Sequence, residues 1–225
     1  MPTTAPTLVA TGHAHDVSVD DAFDFLNTDD TDNGFPAEKL PTLDSALDWF
    51  VEREVIHGEG ADRLREQAAS DPAFGQRELD RVHAVRSALR EVVQAVIQER
   101  PPTTGALATV NRALHARQVI ELVPSDDACV AVDHRHVGDP VDDALARLAD
   151  PIVLVLTSGH PDRIRQCEGD TCFWLFYDTS KTHRRRWCDM ATCGNRAKAA
   201  RHRARSKATG ESITIEMLDE ATPPI

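Results

Sequence analysis

The sequence predicts a mainly α protein: a helical N-terminal domain carrying a β-hairpin insert, followed by a small C-terminal module stapled by metal. Three observations predict it. Apolar residues recur on a 3.6-residue beat through most of the first two-thirds of the 225-residue chain. Two β-branched runs, Val119 to Val123 and Ala128 to Val132, flank the turn-forming Pro124-Ser125-Asp126-Asp127. Four of the five cysteines fall between Cys167 and Cys193 as two C-x4-C pairs separated by fifteen residues.

Taken in order, residues 1–19 are rich in Pro, Thr, Ala and His without periodicity, and read as a flexible N-terminus. A helical domain is expected over 20–158. It opens on a short amphipathic turn, Ala22 to Thr28. Thr42 is placed to cap a helix whose stripe is Leu43, Leu47, Phe50 and Val51, stopped by Gly58 and Gly60. A third helix runs from about Gly60 to Ala69, and Pro72 suits a first helical position. The longest periodic segment, Arg77 to Gln98, carries Leu79, Val82, Val85, Leu89, Val92, Val93 and Val96 until Pro101-Pro102 end it. A helix from Gly105 to Ala116 presents Leu107, Val110, Asn111 and Leu114. After the hairpin, Asp139-Pro140 opens a last helix through Leu156, with a bend expected at Pro151. Ser158 to Pro161 reads as a linker, 163–208 as the metal module with a basic helix, and 209–225 as a C-terminal tail.

Hydrophobic content of 41% supports a core, and an aromatic share of 5% makes it an Ala/Leu/Val core. No apolar run approaches the ~18 residues a membrane span requires. The N-terminus lacks a basic segment followed by an apolar one, so secretion is not expected and a cytoplasmic protein is. Clustered cysteines fit a reducing compartment in which thiols meet metal. The chain carries a formal charge of −12, yet between Arg163 and Lys207 there are twelve Lys or Arg against four acids, a local +8 that leaves −20 elsewhere. No phosphate loop, nucleophile elbow or metal-binding helix pair is present, so an enzyme is not expected. His13/His15 and His134/His136 read as ordinary loop or strand-end histidines, and Cys129 as a small core residue. Asp24, Asn27 and Asp29 read as helix-end caps before pocket residues.

The cysteine spacing is that of a structural Zn²⁺ site, each pair supplying two thiolates to one tetrahedral ion, so Cys167, Cys172, Cys188 and Cys193 are the expected ligands. Phe173 to Tyr177 is strand-like, Asp178 to Lys181 turn-like, and His183 to Trp187 reads as a returning strand. Cys193-Gly194-Asn195-Arg196 then opens a helix to about Lys207, giving a treble-clef-like layout of knuckle, hairpin and helix. About forty residues cannot bury enough apolar surface to fold unaided, so metal supplies much of the stability. Trp174, Phe176 and Trp187 form the small core, and Gly194 suits close backbone approach or positive φ.

The helix decides the function of the module. Its apolar residues are alanines, while Arg196, Lys198, Arg201, Arg203, Arg205 and Lys207 surround it. A rod with little to pack against and strong self-repulsion is relieved by a polyanion. Arg184, Arg185, Arg186, Lys198, Arg201, Arg203 and Arg205 are the expected phosphate contacts. Asn195 and Arg196 lie nearest a base edge, or tie the helix start to the zinc loop. A humbler task for Arg184, Arg185, Arg186 and Arg196 is to offset thiolate charge and donate hydrogen bonds to sulfur.

Trp174-Leu175-Phe176-Tyr177-Asp178-Thr179-Ser180, Arg185-Arg186-Trp187-Cys188-x-Met190 and Cys193-Gly194-Asn195-Arg196-Ala197-Lys198 resemble the CGNR zinc-finger proteins, in which the finger follows an ABATE domain. Asp24-Phe25-Leu26-Asn27-Thr28 is similar to the early LDFVNT-like motif of that domain, and Leu107 to Leu114 to its LNxxL-like helix. The resemblance implies zinc on the four cysteines and DNA binding in stress-linked control of transcription. It leaves the acidic helical domain as sensor of a small molecule, effector or homodimer surface. Glu168-Gly169-Asp170-Thr171 replaces the usual Asn-Pro knuckle, and Asp189 stands where serine is common. Both bring negative charge to the phosphate surface. An RNA-binding or ribosome-associated module and a thiol–zinc redox sensor are the alternative readings.

Overall fold

The computed structural model describes residues 17–32, 35–115, 117–124, 130–137, 140–157 and 159–219. The expectations for residues 1–16, His13, His15, Cys129, Ser158 and the end of the tail beyond Asp219 lie outside these residues.

Helix α1, Val19–Leu26, starts where the Ser18 hydroxyl accepts the Asp21 N–H and buries Ala22, Phe23, Phe25 and Leu26. A hairpin that alternation did not reveal follows, β1 (Asp29–Asp32) against β2 (Phe35–Glu38). Its β1 strand is all polar, Asp-Asp-Thr-Asp, so no apolar period announces it. Helix α2, Leu43–Glu52, begins with a reciprocal Thr42/Ser45 capping box and buries Leu43, Ala46, Leu47 and Phe50.

The glycines expected to stop α2 do not. It ends at Glu52, the chain turns through Glu54 at φ 55°, and Gly58 instead starts α3, Gly58–Ser70. Helix α4, Pro72–Ile97, is the spine of the fold. Pro72 occupies its first turn and the Asp71 carboxylate accepts the Phe74 N–H, so it begins five residues before the apolar beat does. Its buried face runs through Leu79, Val82, Val85, Leu89, Val92 and Val93. Helix α5, Thr104–Leu114, is capped by Thr103 and turns Ala106, Val110 and Ala113 inward. Leu107, expected on this stripe, is 40% exposed: the helix presents its small residues to the core.

Strands β3 (Arg117–Pro124) and β4 (Val130–Val137) form the expected antiparallel hairpin, a few residues longer than the β-branched runs. Helix α6, Pro140–Thr157, keeps Pro151 inside it and buries Ala144, Leu145, Leu148 and Ile152. Phe25, Phe50 and Trp49 meet with ring centroids 5.8 to 6.1 Å apart at the heart of the core. Among the described residues, no helix is long and apolar enough to cross a membrane.

The C-terminal part departs most from expectation. Strand β6, Leu175–Tyr177, does not pair with a strand after it. It pairs antiparallel with β5, Ile164–Gln166, which lies before the first cysteine. Residues 183–187 form no strand: Asp178 takes the Arg185 N–H, and the Glu168 N–H donates to Arg186 O. Fully buried, Asp178 accepts the Ser180 N–H at 2.9 Å and the Arg185 N–H at 2.8 Å, pinning the segment as a loop. The last helix, α7, spans Asn195–Asp219, twelve residues past the expected end. Gly210 is its lone glycine, and no proline intervenes before Pro223.

Candidate metal centre and nucleic-acid interface

The Cys167–Cys172 knuckle is the loop between β5 and β6, laced at its base by the Cys167 N–H donating to Trp174 O at 2.8 Å. The second pair enters from the far side. Cys188 follows the Asp178-pinned loop, and Cys193 sits in a π turn, Met190–Gly194, that feeds α7. The Asp189 carboxylate caps this turn by accepting the Ala191 N–H at 2.6 Å, a local task for the residue that the sequence marked as a departure.

The four Cys sulfurs all lie within 4.8 Å of one another, and none is in a disulfide. Cys188 Sγ is 3.7 Å from both Cys172 Sγ and Cys193 Sγ. A tetrahedral ion with metal–sulfur bonds of about 2.3 Å has sulfur–sulfur edges of about 3.8 Å, so the donor set fits Zn²⁺. Cys167 and Cys193 are buried and the other two half-buried, as in a closed structural site. Gly169 eases the turn of the knuckle: a Cβ there would stand 3.1 Å from Cys172 Cβ, tighter than ordinary contact, with Cys193 Sγ and Cys167 Sγ at 3.4 and 3.6 Å. Gly194 does not take the positive φ expected of it, and a Cβ there would crowd Met190 Sδ at 2.7 Å, the far end of an exposed side chain that can move aside.

The thiols sense one another. Burial pushes the Cys167 thiol up, but hydrogen bonds from the N–H groups of Cys188 and Gly169 and from the Cys172 and Cys188 thiols together outweigh it and hold the group below its usual value. Burial, reinforced by the neighbouring Cys167 charge, pushes Cys172 up to about 12. Cys188 is raised further by burial and by the charges of Cys172 and Cys167. Like charges at this separation resist joint ionisation, and a divalent cation removes that resistance.

Around the sulfurs, Trp174 and Trp187 pack on Cys167, Phe176 and Cys193 in a small second core. None of the guanidinium groups of Arg184, Arg185, Arg186 and Arg196 hydrogen-bonds a sulfur among the described residues. Arg185 lies over Phe176, 4.7 Å from its centroid, and donates to Trp187 O. Arg186 is held by Glu168 and lies 5.0 Å from the Trp187 centroid. Arg184, Arg196, Lys198 and Arg203 form no ion pair among the described residues. Asn195 Nδ2 donates to Ala191 O at 3.1 Å, tying the start of α7 to the cysteine turn.

From Lys198 to Lys207 every residue of α7 is exposed. Arg196, Arg201 and Arg203 line a groove whose other wall is the knuckle with Glu168 and Asp170. At 100° per residue, Lys198, His202 and Arg205 lie on the opposite face, away from those carboxylates.

Residues 163–206 match the model of the CGNR zinc finger. Residues 20–159, well over half of the chain, match the model of the ABATE family, described as "Putative stress-induced transcription regulator". The chain belongs to the ABATE family. No curated protein matches it.

In this ABATE chain the residues that sequence reading missed are the ones that seat the finger. Asn27, read as a helix-end cap before a pocket residue, does end α1 but also reaches Leu175. Arg90 of α4 bridges Leu26 O and Phe173 O. Behind them Arg86, 2% exposed, donates to Thr28 Oγ1 at 2.9 Å and to Glu38 Oε1 at 2.8 Å. The one available signal was a polar Asn-Thr pair closing an otherwise apolar helical turn.

Proposed function

We propose that this ABATE-family chain is a zinc-dependent DNA-binding regulator of transcription. Cys167, Cys172, Cys188 and Cys193 hold Zn²⁺, and the C-terminal finger contacts DNA. The ion supplies a structural cross-link that fixes the start of α7. The observation that carries the reading is α7 itself, ten consecutive exposed residues from Lys198 to Lys207, six of them Lys, Arg or His arranged around the helix. Such a surface gains from neutralising phosphates and releasing counterions.

Lys198 and Arg205 lead the contact, because their face is clear of Glu168 and Asp170; Arg184, Arg201 and Arg203 flank it. Arg185 and Arg186 are partly engaged by aromatic rings, and Asn195 serves the helix start, with Arg196 beside it nearest a base edge. The acidic helical body, carrying most of the negative charge, stands off DNA as the sensor, effector or homodimer surface that answers stress. A cytoplasmic, nucleoid-associated location follows from this role.

The test is fluorescence anisotropy of labelled duplex DNA with the full-length, zinc-loaded chain across salt. Neutralising about six phosphates gives a slope near −5 in log K against log salt. A flat response overturns the reading. Competition with structured RNA is run alongside, and displacement of duplex by RNA at lower concentration moves the finger to the RNA-binding class.

A further inference from the structure

We propose that Asn27 and Arg90, both in the helical body, are positioning residues for the zinc knuckle, and that the finger retains its metal tightly only while they grip it. The inference rests on the zinc reading above and adds a dependence of the metal site on residues 77 to 140 positions upstream of its first ligand.

Asn27 is 2% exposed at the end of α1. Its Oδ1 accepts the Leu175 N–H at 2.9 Å and its Nδ2 donates to Leu175 O at 2.8 Å. One side-chain amide thus satisfies both main-chain groups of a strand residue, as a neighbouring strand would. Leu175 is fully buried and belongs to the core of the helical body, together with Ile164 of β5. Leu175 pairs in register with Gln166, the residue before the ligand Cys167. The Cys167 N–H in turn donates to Trp174 O, the residue before Leu175.

Arg90 grips the other side of the knuckle. One guanidinium nitrogen donates to Leu26 O at 3.0 Å, next to Asn27, and another to Phe173 O at 2.6 Å, the residue after the ligand Cys172. Each residue flanking the first cysteine pair on the inside of the sheet is therefore held, directly or through one strand bond, from α1 or α4. The Lys39 ammonium lies over the Trp174 ring at 4.9 Å and closes a third side.

A finger of this size lacks the apolar area to order its own ligands, and what it lacks is supplied by the body through Ile164 and Leu175. A ligand pair held in place before metal arrives loses less freedom on binding and releases the ion more slowly. Coupling of this kind is reciprocal, so metal on the knuckle also stabilises the end of α1.

The test is zinc release from the full-length chain to an excess of a chromogenic chelator, after metal content has been measured. Asn27→Ala and Arg90→Ala are expected to release zinc about tenfold faster than wild type, as loss of a buried or charged hydrogen bond implies. Arg90→Lys, which keeps the charge but reaches one carbonyl only, is expected between Arg90→Ala and wild type in release rate while the urea midpoints of the helical body stay alike, a combination that general loosening of the fold would not produce. Far-UV circular dichroism of Arg90→Ala is expected to match wild type; if Asn27→Ala does not fold, the two Arg90 variants decide. Metal-loaded variants that release zinc within twofold of wild type overturn the inference and leave the zinc reading standing. Wild-type chain that contains no metal overturns both.

Discussion

Glu168 holds Arg186 across the mouth of the knuckle. Arg186 Nε donates to Glu168 Oε2 at 2.7 Å, a second nitrogen of the same guanidinium contacts that oxygen, and the Glu168 N–H donates to Arg186 O at 2.9 Å. Arg186 holds the Glu168 carboxyl below its usual range, and Glu168 raises Arg186 in return. Both side chains are about half exposed, so solvent screens the pair and its stability contribution is small. Its consequence is competition: a phosphate approaching Arg186 must displace a carboxylate. Glu168→Gln is expected to tighten duplex binding by about three- to tenfold and to steepen the salt slope by about 0.9, the increment for one further phosphate contact. Anisotropy titrations at two salt concentrations check it, and unchanged affinity would place Arg186 outside the interface.

The two faces of α7 give separable expectations. Lys198→Ala removes a cation that touches no described partner, so affinity should fall evenly across DNA sequences and the slope should shallow by about 0.9. Arg201 also lies 5.9 Å from the Trp187 centroid, and its Nε donates to Ala197 O at 3.3 Å. Arg201→Ala should therefore cost a similar amount of binding and also perturb the environment of Trp187, visible in near-UV circular dichroism. Equal spectra for the two variants would mean that Arg201 does not pack on the ring when free in solution.

These surfaces were only partly legible in the chain. The spacing of Leu79, Val82, Val85, Leu89 and Val93 marked α4 because period is a one-dimensional signal, and the clustering of the cysteines was readable for the same reason. The β1–β2 hairpin was not, since Asp29 to Asp32 carry no apolar alternation. Nor was the absence of a strand after β6. It depends on Asp178 accepting the N–H of Arg185, seven residues on, and a short acidic residue after an aromatic run reads equally well as an ordinary turn. Long-range polar contacts such as Asn27 with Leu175, 148 residues apart, leave no periodic trace. The seat of the finger was hidden for that reason, while its cysteine cluster was not.

Cys193 tests the metal and the rod together. It is buried, and its π turn connects directly to α7. Cys193→Ser is expected to lower zinc from one per chain to near none by mass spectrometry under non-denaturing conditions, and to reduce DNA affinity to the non-specific background. The core built on α1, α4 and α6 contains no cysteine ligand, so most of the helical signal in circular dichroism should survive. Retention of tight DNA binding by a metal-free variant would separate the basic helix from the ion and defeat the structural role assigned to zinc.

Asp178 carries the pH dependence. Burial pushes its carboxyl up, but the Ser180 side chain, the N–H groups of Arg185 and Ser180 and the nearby His183 together more than reverse this, so in the folded chain it sits below the usual carboxylate range. A depressed folded value means that the unfolded chain binds the proton first. The stability contributed is complete above the unfolded value of about 3.9 and drains away as pH falls through the folded value. Asp178→Asn keeps one acceptor and turns a donor toward the other N–H, leaving that group unsatisfied at a cost of about 1–3 kcal/mol. Urea unfolding of wild type and variant, followed by tryptophan fluorescence, should show this gap at pH 7. It should narrow steadily below about pH 4, where wild type loses the advantage that the variant never had. A gap that persists undiminished at the acid end would mean that the carboxylate charge contributes nothing, and that Asp178 holds the loop by shape alone.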